Sequence, residues 1–200
     1  GVYQANLNTG TLVYQCLLEG NNVWNQDLYA YDGSGAPGAG NGTPDLEENI
    51  FWNDEGVKLA GAGNCAFQNT ITGFGASTGH ASGVLTTMNW FYRNYIPMSG
   101  DDAYESDYAV RNCGFHDNYV KNSATLMSAD TVYGGPIYCL RNISINTARS
   151  PFKFNGGDQF KVPGCLIWSN TVVRKDGYSA FDDFGWVQYG FSNGLTLENW

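Results

Sequence analysis

Hydrophobic and polar positions alternate along this chain in short runs, and the runs return at a nearly constant interval. Eight asparagines mark the recurrence: Asn21, Asn49, Asn69, Asn94, Asn118, Asn142, Asn170 and Asn199, separated by 28, 20, 25, 24, 24, 28 and 29 residues. An apolar residue follows each within one or two positions, as Ile71 follows Asn69 and Val120 follows Asn118. Set in register, each unit reads strand, turn, strand. Period-two alternation makes every strand apolar on one face, and a repeat in the twenties predicts that successive units stack to bury that face. A side-chain amide both donates and accepts, so identical asparagines at one corner can bond from coil to coil. The pattern therefore predicts an all-β fold, a right-handed parallel β-helix of seven or eight coils, with an asparagine ladder along one edge.

Aligning the strands that follow each turn gives the expected columns. Tyr104, Met127, Phe152 and Phe181 point inward, while Glu105, Ser128, Lys153 and Asp182 point outward on the opposite side of the strand. A second outward column holds Asp107, Asp130 and Asn155. Coils stack about 4.8 Å apart, which would make these residues one polar patch. Small-residue stretches at 33–44, 73–83 and 156–163 read as loop insertions, the second carrying His80. The whole of 1–200 reads as one β-helix domain. Neither end looks like the polar cap a solenoid needs, so a segment of a longer chain with further domains is expected.

Composition narrows the function. Hydrophobic residues make up 42% and aromatics 15%, with 26 glycines, a mixture that suits strands and turns. No run of eighteen apolar residues exists, so no membrane insertion is expected. The net charge of −9 is uneven: residues 1–110 hold 12 acids and 2 bases, residues 111–200 hold 7 acids and 8 bases. No basic stripe is present for nucleic acid. The five cysteines, Cys16, Cys65, Cys113, Cys139 and Cys165, each lie three to five residues before a repeat asparagine. No spacing among them suggests zinc, and they read as a core ladder of free thiols rather than disulfides.

The stretch from Gly100 to Gly177 resembles the parallel β-helix proteins of the pectate-lyase-like superfamily. The residues that carry the resemblance are Gly100 to Asp107, Gly134 to Asn142, Ser150 to Phe154 and Ile167 to Val173. It implies a secreted or cell-surface protein that acts on an acidic, uronate-containing polysaccharide through a polar patch on one sheet. In the reading it implies first, calcium assists β-elimination. Asp101, Asp102, Glu105 and Asp107 would hold the cation, with Asp130 close by, because hard cations prefer carboxylate oxygens. Calcium would acidify the C5 proton, Lys153 or Arg149 would take it, and Arg174 would bind the sugar carboxylate. Lys153 is the better base, since an arginine keeps its proton. In a hydrolase, Asp107 and Asp130 would be the acid and base pair. The alternative to both is a non-catalytic adhesin or structural surface module, whose acids form a solvated face. The paired arginines of the lyases and the spaced aspartates of the pectin hydrolases are absent.

Lesser candidates are His80 and Tyr29 for substrate contact, and His116, expected to point outward beside the Asn118 turn. Tyr29, Tyr31, Trp168 and Trp186 are aromatics that could meet sugar rings. Two glycosylation sequons occur, at Asn41 and Asn142; the second belongs to the ladder and should be buried.

Overall fold

The structure, a computed structural model, describes residues 2–3, 9–20, 55–81, 86–107, 109–129, 134–147, 151–154, 164–174 and 187–189. Three long parallel sheets account for nearly all of them, and no helix occurs among the described residues. Sheet 1 stacks Val2–Tyr3, Glu55–Leu59, Ala76–His80, Asp102–Glu105, Thr125–Ser128, Phe152–Phe154 and Val187–Tyr189 in that order. Sheet 2 stacks Leu12–Tyr14, Cys65–Phe67, Trp90–Tyr92, Cys113–His116, Ile137–Leu140 and Cys165–Trp168. Sheet 3 stacks Leu17–Glu19, Thr70–Phe74, Tyr95–Ser99, Tyr119–Lys121, Ile143–Thr147 and Thr171–Arg174. Thr86–Thr87 and Ala109–Arg111 add a short pair between sheets 1 and 2. The chain visits the three sheets in turn, so the molecule is a parallel β-solenoid, as its periodicity predicts. About four turns are described almost without interruption, between residues 55 and 147, and the described residues do not establish seven or eight.

Alternation decides what each strand buries. Val13, Ala66, Phe91, Phe115 and Cys139 form one inward column on sheet 2, and Ile71, Ile96 and Val120 form one on sheet 3. Tyr104, Met127 and Phe152 supply sheet 1, as expected. Each such large apolar side chain, taken wholly out of water, contributes about 2 kcal/mol. The next strand on sheet 1 enters this column with Val187 rather than Phe181, so Gln188, not Asp182, stands opposite Lys153.

The corner between sheets 2 and 3 is a two-residue turn repeated without variation. Its first residue is left-handed in every coil: Gln15, Gln68, Arg93, Asp117, Arg141 and Ser169 have φ between 52° and 56°. That conformation costs a non-glycine residue about 1 kcal/mol. The asparagine that follows offsets it. In Asn118, Oδ1 accepts the backbone N–H of Asn94 at 2.9 Å and its Nδ2 at 3.0 Å. Its own Nδ2 donates to Asn142 Oδ1 at 3.0 Å and to the Phe91 carbonyl at 3.1 Å. The same set is complete in Asn94, Asn118 and Asn142, whose buried amides are fully used; at the ends Asn69 Oδ1 accepts from Cys16 alone and Asn170 Nδ2 donates to the Cys139 carbonyl. Asn142 is wholly buried, as expected for a sequon inside the ladder.

The start of the ladder differs from the periodic expectation. Leu17 pairs with Thr70, and the Cys16 backbone N–H donates to Asn69 Oδ1 at 3.0 Å, so Cys16 holds the corner position one coil before Asn69. The interval there is 53 residues, and Asn49 is not the neighbour of Asn69. Asn21, Asn49 and Asn199 lie outside the described residues. A second, shorter ladder at the corner between sheets 1 and 2 was not expected. Asn89 Oδ1 accepts the Asn64 backbone N–H at 2.9 Å and Asn64 Nδ2 at 3.1 Å, and Asn64 Oδ1 accepts from Thr11.

The cysteines do not form one ladder. None of the five forms a disulfide; Cys113 and Cys139 are buried, Cys65 and Cys165 half-buried and Cys16 exposed. Cys139 takes a sheet 2 core position, whereas Cys65 lies one residue out of phase with that column. Residues 73–83, read as a loop, contain the strand Ala76–His80, all of it buried. The other two loop insertions, 33–44 and 156–163, lie outside the described residues.

Candidate functional site

Sheet 1 was expected to carry a polar patch open to solvent. Its register does bring Glu105, Ser128 and Lys153 into one column, with Gly79 and Lys58 on the other side of Glu105. The column is recessed rather than open. Ser128 and Gly79 are buried, and Leu126 and Ala103, on the same side of their strands, are wholly buried as well. Both faces of the Thr125–Ser128 strand are thus withdrawn from water.

The charged centre of this region is an ion pair. Lys153 Nζ donates to Asp102 Oδ2 at 3.1 Å, and the two side chains are 16% and 4% exposed. Burial alone would discharge the lysine, but the charges of Asp102 and Asp101 more than reverse this and its pKa is raised. Asp102 is pushed up to about 7 by burial and by the charge of Asp101, with Lys153 opposing. Its other oxygen, Oδ1, is buried without a hydrogen-bond partner, as is Thr125 Oγ1 one strand away. Asp107 Oδ1 accepts from Ser128 Oγ at 3.2 Å. Lys58 pairs with Glu55. Lys153 therefore meets Asp102, two strands away.

The carboxylates expected to hold calcium are partly engaged. Asp102 gives one oxygen to an ammonium, Asp107 gives one to a hydroxyl, and no three acidic, histidine or cysteine side chains converge among the described residues. Lys153 as a base would first have to lose a proton that Asp102 stabilises. Asp101 and Glu105 are both half-buried nearby. Asp130, Arg149 and Tyr29 lie outside the described residues, as do Tyr31, Trp186 and Asn41. Arg174 ends the strand Thr171–Arg174 on sheet 3, a different sheet from the acids.

His80 lies in the core rather than on a substrate surface. Its Nε2 is 2.9 Å from the Tyr104 hydroxyl, its ring packs edge-on to Tyr104, and burial lowers its pKa to about 3. Its Nδ1 has no hydrogen-bond partner among the described residues.

Sheet 2 presents the opposite surface. Tyr14, Phe67, Tyr92 and His116 stand in register along its outer side. Their rings stack at 5.4, 5.0 and 5.1 Å with interplanar angles of 8°, 3° and 1°. Leu140 and Trp168 continue the column, and Trp168 is 53% exposed. A second outer column runs through Trp90, Gly114 and Tyr138; the two rings lean across Gly114 to 5.6 Å. A Cβ on Gly114 would meet the Trp90 ring at 2.7 Å, so only glycine allows that closure. His116 points outward, as expected, and its Nδ1 is 2.8 Å from Asp117. Arg141 binds Asp117 through two bonds of 2.8 Å, which with His116 holds that carboxyl down at about 2.

Charge follows the same division. Among the described residues, sheet 1 and its turns carry five acids, Glu55, Asp101, Asp102, Glu105 and Asp107, against Lys58 and Lys153. Sheets 2 and 3 and their corners carry Arg93, Arg111, Lys121 and Arg141 against Glu19 and Asp117, Arg174 aside. The aromatic columns were not anticipated, because apolar residues on both sides of a strand blur the alternation that marks a core.

Fold and site together define a parallel β-solenoid with an asparagine-ladder corner, a recessed acidic sheet and an aromatic sheet with arginines at its edges. No known protein family matches the chain, and no curated protein or solved structure does either.

Proposed function

We propose that this chain is an extracellular module, of the pectate-lyase-like kind its sequence resembles, that binds an acidic polysaccharide without cleaving it. The observation that carries the choice of binding over elimination is the Lys153–Asp102 pair. A general base must be free of its proton near the working pH, and here a buried carboxylate stabilises the ammonium. The other described lysine of sheet 1, Lys58, is paired as well. The segregation of charge supports an anionic ligand, since the bases gather away from the acidic sheet.

The test is incubation with polygalacturonate and alginate, with calcium and with chelator, following both retention of the polymer and ultraviolet absorbance of an unsaturated product. Retention without absorbance or new reducing ends is the expected result. A calcium-dependent rise in absorbance would overturn it in favour of the lyase and return the acidic residues of sheet 1 to the cation. Reducing ends without unsaturation would point to the hydrolase.

A further inference from the structure

We infer that the outer face of sheet 2, with the corner beside it, is a docking strip for one extended anionic polysaccharide chain running along the solenoid axis. The strip holds its ligand by ring edges and cations rather than by ring faces. This rests on the polysaccharide reading above and adds where and how the polymer is held.

The first argument is geometric. A ring that stacks a sugar must offer its face. In the Tyr14, Phe67, Tyr92, His116 column the rings cover one another's faces at 5.0 to 5.4 Å and nearly parallel, so both faces of Phe67 and Tyr92 and one face each of Tyr14 and His116 are taken. What the column turns to solvent is its edges. An aromatic ring is negative on its face and positive at its edge. A ladder of edges is thus a weakly positive, apolar rail, with the hydroxyls of Tyr14 and Tyr92 as added donors. It favours oxygen-rich anions over flat sugar faces.

Full charges reinforce the rail. Arg93 and Arg141 sit at the corner that closes one side of sheet 2, and Arg111 lies at the other, all three exposed. Arg141 is balanced by Asp117, so Arg93 and Arg111 give the strip its net positive charge. Arg93 falls directly after Tyr92, two coils below Arg141, hence about 10 Å from it along the axis. The protein as a whole carries −9, so this strip is a local reversal of sign. An anionic polymer gains there what it would lose against sheet 1.

Size decides between a polymer and a protein partner. Six strands span about 24 Å along the axis and four residues span about 13 Å across it, a projected area of roughly 300 Å². Each side of a stable protein complex contributes about 800 Å². Two copies of this chain would also oppose like net charges. A narrow linear ligand fits the strip, since one sugar residue is about as long as one coil is high.

The experiment measures binding of the whole chain to polygalacturonate, and to the same polymer with its carboxylates methyl-esterified, by affinity electrophoresis. The chain is expected to bind the free acid and to lose at least tenfold in affinity for the ester. The variant R93E/Y14A, altered at two exposed positions, is expected to lose at least tenfold for the free acid while keeping its far-ultraviolet dichroism. The competing arm is E105Q on sheet 1. Loss of binding there, with R93E/Y14A unaffected, would overturn the strip and leave the polysaccharide reading standing. No binding of any acidic polymer by the unaltered chain would overturn that reading itself. Sedimentation that shows a dimer of the unaltered chain, abolished by Y14A and Trp168→Ala, would give the strip to a second copy and overturn the inference.

Discussion

Sheets 1 and 2 are built by the same parallel pairing from strands of similar length, and they differ in what lies on their outer sides. Sheet 1 draws much of its outer side away from water and pairs both of its described lysines with carboxylates, Lys153 with Asp102 and Lys58 with Glu55. Sheet 2 leaves its outer side half open and fills it with rings that stack on one another. Backbone pairing and the inward columns fix the solenoid. The outer columns are free to differ, and they divide the molecule into a recessed, ion-paired face and a half-exposed aromatic one.

The difference can be broken most severely on sheet 1. Lys153→Met leaves Asp102 as an unpaired buried carboxylate and should cost about 3 kcal/mol at pH 8, read from urea unfolding midpoints. The loss should shrink toward pH 5, where Asp102 takes up a proton. The double variant Asp102→Asn/Lys153→Met should recover most of it. A single variant as stable as the parent would show that the pair is not the centre of this sheet.

On sheet 2 the sensitive position is a glycine. Gly114→Ala drives a methyl into the Trp90 ring and should cost about 2 kcal/mol, with a change in near-ultraviolet dichroism as Trp90 and Tyr138 separate. Unchanged dichroism would mean that the rings are not locked across the strand.

Titration offers a finer comparison. His80 falls from an ordinary 6.5 to about 3, so the unfolded chain binds its proton more readily and stability should rise with pH between those values. Asp102 rises from an ordinary 3.8 to about 7, so the folded chain binds that proton more readily and stability should fall as pH rises across that window. Each slope is about 1 kcal/mol per pH unit, and they oppose one another between pH 4 and 6.5. The parent should therefore look nearly flat there. His80→Gln should become less stable as pH rises, and Asp102→Asn more stable. Flat profiles in both variants would refute the pairing of opposed slopes.

Two smaller effects sharpen the picture. Cys16→Asn should extend the ladder by one member and stabilise the chain by up to about 1 kcal/mol, because the new Nδ2 can donate to Asn69. A loss of stability would mean that the first coil cannot place the amide. Trp168→Ala, at a ring half exposed on sheet 2, should cost less than about 1 kcal/mol, in keeping with a face that contributes little to folding. A cost as large as that of Lys153→Met would erase the distinction between the sheets.

How far the sequence reveals this follows from chemistry. Asn69 to Asn170 were legible because the ladder admits one residue type at a fixed corner, and the intervals of 24 to 28 residues betray it. Asn49 misleads because an asparagine in a long insert has the same local look, and only strand register reveals the jump from Cys16. The short ladder of Asn64 and Asn89 has two members, each five residues before a main-ladder asparagine, a signal present but faint. Gly, Ser and Thr around His80 suggest a turn and so a loop. Small residues are also what a strand buried on both faces can accommodate. Lys153 and Asp102 lie 51 residues apart, and their pairing depends on how a long side chain reaches across two strands, which no local pattern encodes.

The left-handed corner makes the coil a unit of growth. Its bonds run only to the coils above and below, and they are indifferent to how many residues the chain spends elsewhere on the circuit: 24 between Asn94 and Asn118, 53 between Cys16 and Asn69. Length can be added at any loop without disturbing the edge, and whole coils can be duplicated or excised with the edge rejoining itself. The corner acts as a ruler that counts coils rather than residues. A lineage using it can vary the length of its outer sheets in steps of one strand spacing while the rest of the scaffold stays as it is.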